Sequence, residues 1–225
     1  MEGFQGFTED CIQFFWGIRF NNERSWFQAN KSVYEEKVLA PLRCLAEEVY
    51  DRFLEENPRL PLIMRVSRIY RDARRLHGRG PYKSNMWFTL RAAGEDWARQ
   101  PAFWFGIDPE GWDYGLGMYQ AAPSTMALLR QDIDREGKEI VKLARGLERQ
   151  TRFRLSGEEY KRPKGSPPAP LERWYNRKTL TLACTRPVDE LLYSPDLVDE
   201  LLEGFQSLLP YYHYFQGLCS REGTV

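Results

Sequence analysis

Residues 65–91 read Arg-Val-Ser-Arg-Ile-Tyr-Arg-Asp-Ala-Arg-Arg-Leu-His-Gly-Arg-Gly-Pro-Tyr-Lys-Ser-Asn-Met-Trp-Phe-Thr-Leu-Arg. Two period-two patterns flank a glycine-rich centre. In residues 66–74, Arg68, Tyr70, Asp72 and Arg74 alternate with Ser67, Ile69 and Arg71, which predicts a strand. If Ile69 faces the core, Arg71 points inward too and needs an acidic partner or a bulge that re-aims it. Residues 76–82 form a loop around Gly78, Gly80 and Pro81. Residues 85–92 predict a second strand, with Met86, Phe88 and Leu90 opposite Trp87 and Thr89.

Outward from this stretch the strand patterns continue. Residues 102–107 are apolar on both faces and predict a central strand. Asp108-Pro109-Glu110-Gly111 has turn composition, and residues 112–119 predict the return strand of a hairpin. Gly115 and Gly117 within it suggest a bulge or a close backbone approach. Phe153-Arg154-Leu155 and residues 179–185 predict two further strands. Helical spacing covers residues 9–20, with Thr8 as N-cap and Asn21 as a left-handed C-cap. It resumes near Ser32 and Glu35, which have capping-box spacing, and runs to about Glu55. Pro41 predicts a kink or a new helix starting near Leu39. Residues 124–136, 137–149 and 196–209 predict three more helices. Helices, then a meander of strands, then helices indicate one α+β domain over residues 1–225: a mainly antiparallel sheet packed against N-terminal and C-terminal helices.

The chain of 225 residues is formally neutral, with 32 basic and 32 acidic side chains, so the distribution of charge is what informs. Residues 65–91 hold eight Lys or Arg against one acid, and residues 152–178 hold eight against three. The rest of the chain is acidic on balance. These two segments form one electropositive site if the fold brings them together. Arg suits bidentate recognition of phosphate or carboxylate, and the loop glycines let backbone donors approach a ligand. The expected anion-binding set is Arg68, Arg71, Asp72, Arg74, Arg79, Tyr82, Lys83 and Asn85, with Lys161 and Lys164 closing it from the second segment. Asp72 is expected to orient an arginine; among so many cations its pKa should be too low for a general base at neutral pH. Tyr70 and Tyr82 read first as packing residues.

Other chemistries find little support. Two histidines, His77 and His213, lack any metal or triad motif around them. There is no Walker loop and no dinucleotide fingerprint. Asp108 and Asp113 read as turn acids before they read as a hydrolytic pair. Cys11, Cys44, Cys184 and Cys219 are widely spaced, which fits reduced thiols in a cytoplasmic protein. Neither a membrane span nor a signal peptide is expected. No cofactor and no oligomeric state is specified by these residues.

Several of these stretches together resemble the bacterial domain-of-unknown-function family 2461. The resemblance rests on Arg68-Ile69-Tyr70-Arg71-Asp72 followed by Pro81-Tyr82-Lys83, on Asn21-Asn22-Glu23-Arg24-Ser25-Trp26-Phe27 with Tyr34-Glu35, and on Lys161-Arg162-Pro163-Lys164-Gly165. The run Gly115-Leu116-Gly117-Met118-Tyr119 and Arg130 also fit, so the likeness spans about residues 4–215. The chain departs from the family pattern at Arg75, at Gly78-Arg79 and at Ser166. The resemblance implies a single α+β domain and no particular activity. The leading expectation is therefore a pocket for an anionic, phosphorylated small molecule. The alternatives are a nucleic-acid module, with bases on Trp87, Trp104 or Tyr82, and a scaffold whose basic face meets an acidic protein.

Overall fold

The computed structural model describes residues 3–72, 74 and 80–222. Six strands form one antiparallel sheet in the order β1-β2-β3-β4-β6-β5: β1 Leu62–Val66, β2 Met86–Ala92, β3 Ala102–Asp108, β4 Gly111–Gly117, β5 Arg154–Ser156 and β6 Thr181–Pro187. The helices are α1 Glu9–Phe20, α2 Arg24–Ala29, α3 Lys31–Val33, α4 Ala40–Glu56, α5 Pro123–Asp134, α6 Lys138–Glu148, α7 Glu172–Tyr175 and α8 Leu197–Glu222.

The period of two decides which sheet face is which. Phe88, Leu90, Phe103, Phe105, Trp112, Tyr114, Leu116 and Leu182 are buried on one face. There they meet the apolar stripes of α4 and α8. Phe103 is the hub: its ring centroid lies 5.2 Å from Phe53 of α4 and 5.1 and 5.3 Å from Phe205 and Tyr212 of α8. A polar network reinforces the same seam. The Tyr114 hydroxyl donates to Glu200 at 2.6 Å and accepts from Arg152 Nε at 2.6 Å, while Arg152 also pairs with the Glu200 carboxylate at 2.9 Å. The opposite sheet face stays partly open: Arg65, Arg154 and Thr185 are exposed, and Trp87, Trp104 and Asp113 are half-buried.

Four details differ from the sequence reading. Residues 67–72 are not a strand. The edge strand is instead the apolar run just before them, and Tyr70 beyond it forms an isolated bridge to Tyr82. The helix expected at Ser32 has begun by Lys31; it passes through a π-helical turn at Tyr34–Leu39 and becomes α4 at Ala40, so Ser32 and Glu35 form no capping box. Pro41 falls where the π-helical turn passes into α4, close to the new helix expected near Leu39. The last helix does not stop at Leu209. It carries Pro210 inside it and runs to Glu222, because Tyr211, Tyr212 and Phe215 continue the buried stripe. At Asn21 the backbone is not left-handed. There the Asn21 backbone N–H and side-chain amide both donate to the Gly17 carbonyl, at 2.9 and 3.0 Å.

Strand β4 pairs without a bulge on both sides, and its glycines serve close approach. A Cβ at Gly115 would run into the Leu182 carbonyl, and the Trp104 indole lies across the same position at 2.8 Å. No disulfide joins the cysteines, and no group of His, Cys, Asp or Glu suited to a metal occurs among the described residues. Among them no helix is long and apolar enough to cross a membrane.

Candidate functional site

The connection between β1 and β2 is held as an extension of their hairpin. Ser67 N–H donates to the Trp87 carbonyl at 2.8 Å, and Trp87 N–H returns to Ser67 Oγ at 3.0 Å. Further out, Arg71 N–H donates to the Pro81 carbonyl and Lys83 N–H to the Ile69 carbonyl, both at 2.8 Å. The turn before α2, with α2 itself, clamps this segment from the side. Asn22 accepts from Tyr82 N–H and donates to the Tyr82 carbonyl, both at 2.9 Å, so its amide stands in for a neighbouring strand. Only glycine fits at Gly80, where a Cβ would overlap the Asn22 side chain. Phe27 stacks on Tyr82 at 4.3 Å and meets Tyr70 edge-on at 5.8 Å. Two sequence stretches sixty residues apart are thus halves of one clamp. We expect Asn22→Ala to cost about 1–3 kcal/mol, since it strands the Tyr82 amide. Faster hydrogen exchange at that amide, with the sheet amides unchanged, is the check.

The clamp sets the cations. Lys83 Nζ lies 4.1 Å from the centre of the Trp87 ring, on the open sheet face. Burial, then the Arg71 and Arg68 charges, push its ammonium down to about 8. No carboxylate lies within ion-pair distance of Lys83 among the described residues. Arg71 is half-buried, and its Nε donates to the Tyr82 carbonyl at 2.8 Å, which is how an inward guanidinium is accommodated. Arg68 is exposed beside them. Asn85 is exposed and lines a cavity of about 550 Å³ with Gly106, Asp108, Asp113, Thr185 and Arg186.

The expected residues thus fall into separate groups. Arg68, Arg71, Lys83 and Asn85 stand at one end of the sheet. Tyr82 is buried on Phe27 and forms the wall behind them. Asp72 accepts from Arg74 Nε at 3.1 Å and Nη2 at 2.9 Å, on an exposed surface. Arg79, His77 and Gly78 lie outside the described residues. Lys161 and Lys164 follow β5, which occupies the opposite edge of the sheet from β1 and β2. β2 and β5 are four strand spacings apart, about 19 Å. Lys164 there packs on Tyr160 at 4.9 Å.

Asp113 lines the cavity, although in the sequence it reads first as a turn acid, and Trp104 stands beside it on the same sheet face. Trp104 Nε1 donates to Asp113 Oδ2 at 3.4 Å. Burial raises the Asp113 carboxyl above its ordinary value despite that hydrogen bond, and the nearby Asp108 adds to the rise. Asp108 itself is a turn acid, accepting from Glu110 N–H at 2.7 Å and Gly111 N–H at 3.0 Å. Alternation along β3 and β4 was the available signal: it puts Trp104 and Asp113 on the face opposite the core.

The arrangement offers cations for an anionic group, indole surface for a flat or apolar body, and Asn85 with Asp113 for hydroxyl or amino donors. A family model described as a conserved hypothetical protein (DUF2461) matches residues 10–214. No curated protein matches the chain.

Proposed function

We propose that this chain, which belongs to the DUF2461 family of conserved hypothetical proteins, binds a phosphorylated small molecule on the open sheet face. The observation that carries the reading is Lys83, a half-buried ammonium over the Trp87 ring that feels the Arg71 and Arg68 charges and has no carboxylate within ion-pair distance among the described residues. An anion placed beside Lys83 would offset the cost of burying its ammonium. The phosphate sits among Lys83, Arg68 and Arg71, and the rest of the ligand extends over Trp87 toward Asn85 and Asp113.

A thermal-shift series with nucleotides, sugar phosphates and short oligonucleotides at matched ionic strength tests this. A ligand at 100 times its dissociation constant stabilises by about 2.7 kcal/mol. The shift should vanish in Arg68→Ala and Lys83→Ala. Shifts that survive both substitutions would refute the assignment. A second reading, a single-stranded nucleic-acid platform, is favoured by Trp87 and Trp104 sharing this face with Arg65, Lys83 and Arg154. It requires oligonucleotide binding that weakens steeply with salt and is lost in Trp104→Ala.

A further inference from the structure

We infer that the opposite edge of the molecule carries a second, independent site for a phosphate dianion, formed by Arg130, Lys164 and Tyr160. Arg130 projects from α5, and its guanidinium carbon lies 5.5 Å from the centre of the Tyr160 ring; Lys164 Nζ lies 4.9 Å from the same ring. One aromatic ring thus carries two cations. Arg130 Nη1 is buried without an acceptor, and no carboxylate pairs with either cation among the described residues. A buried guanidinium donor left open is costly, and in most proteins such a group has a partner.

The surroundings are built to hold this arrangement. Asn176 clasps the Lys-Arg-Pro-Lys-Gly loop: its Oδ1 accepts from Lys164 N–H at 2.7 Å, and its Nδ2 donates to the Gly165 carbonyl at 2.9 Å. Tyr160 is fixed by its own N–H donating to the Asn176 carbonyl at 3.0 Å, next to the bridge between Glu159 and Arg177. The acids close by are engaged elsewhere. Glu159 pairs with Arg177 at 3.1 Å, Glu158 with Lys178 at 3.4 Å, and Asp134 accepts from the Tyr175 hydroxyl at 3.3 Å. Arg177 Nε is also buried without an acceptor, but the rest of that guanidinium bonds Gly157 and Glu159, so it belongs to the loop's frame. Arg130 has no such role.

The charge sets the ligand class. Two cations, with Lys161 and Arg162 exposed in the same loop, suit a doubly charged phosphate better than a carboxylate, and the planar guanidinium presents donors to two of its oxygens. The phosphate is either free or the head of an ester.

Calorimetric titration with inorganic phosphate, with acetate at matched ionic strength as the monoanion control, tests the site. The titration is run in the Lys83→Ala background, which removes the sheet-face cluster from the measurement. Phosphate should bind there and acetate should not. Lys164→Ala, an exposed position that leaves the fold intact, should weaken phosphate binding about tenfold or more, and Arg130→Gln should abolish it. Phosphate affinity unchanged by Lys164→Ala would overturn the inference, and so would the absence of phosphate binding in a folded Lys83→Ala protein. Loss of all phosphate binding on Lys83→Ala alone would do the same while leaving the sheet-face site standing.

Discussion

Replacing Phe103 with alanine should destabilise the protein by about 3–5 kcal/mol. Its side chain is completely buried and is touched by rings from both α4 and α8. Three aromatic neighbours on two helices and a central strand cannot all move inward, so most of the vacated volume remains as a cavity. A loss of this size is a large part of a domain's usual stability of about 5–15 kcal/mol. The check is a urea unfolding curve whose midpoint falls while its slope stays unchanged. A change below about 1 kcal/mol would show that these rings do not form the seam between helices and sheet.

The second large effect has the opposite sign. Lys83→Met should raise stability at neutral pH by about 2 kcal/mol while removing anion binding on the sheet face. The lysine titrates at about 8 in the fold against an ordinary value of 10.5. Above the upper value the side chain is neutral in both folded and unfolded chains. As pH falls from about 10.5 to about 8, the unfolded chain takes up a proton that the folded chain refuses, and stability declines through that window. Below it the penalty is constant. Methionine keeps the stem on Trp87 and removes the penalty, which is discounted here because water still reaches the half-buried group. The gain should be present at pH 7 and fade by pH 10.5. An anion bound at Lys83 stabilises the ammonium, so affinity should fall as pH rises through about 8. A Met variant less stable than the wild type at pH 7 would show that Lys83 is satisfied in the unliganded fold.

The sequence was most readable where one local pattern had one physical cause. Strands β2, β3, β4 and β6 lie within a few residues of their patterns, because each alternates between a buried and an open face or is apolar throughout. The edge was misread because Arg68, Tyr70, Asp72 and Arg74 alternate as a strand would, while β1 is a short run beginning just after Pro61. At Pro210 a local breaker lost to a buried aromatic stripe. Of the site, Arg68, Lys83 and Asn85 were visible as a charge cluster beside a glycine loop. The separation of that cluster from Lys164 was not, because strand order across the sheet is a tertiary property. Arg130 was noted only as part of the family likeness; its setting depends on Tyr160, thirty residues away.

The strand order also bears on how the chain finds its fold. Strands β1 to β4 add one after another, each pairing with the strand just before it. β6 reaches its place beside β4 only after residues 118–180, which include α5 and α6, and β5 then caps its outer side. Closing that long excursion costs more chain entropy than closing any hairpin of the meander. The β1–β2 hairpin carrying Lys83 therefore assembles from near neighbours, although its clamp through Asn22 spans sixty residues, whereas β5 and β6 join the sheet only when the longer excursion closes. A chain stalled before that closure would hold the β1–β4 meander and lack the β6 edge.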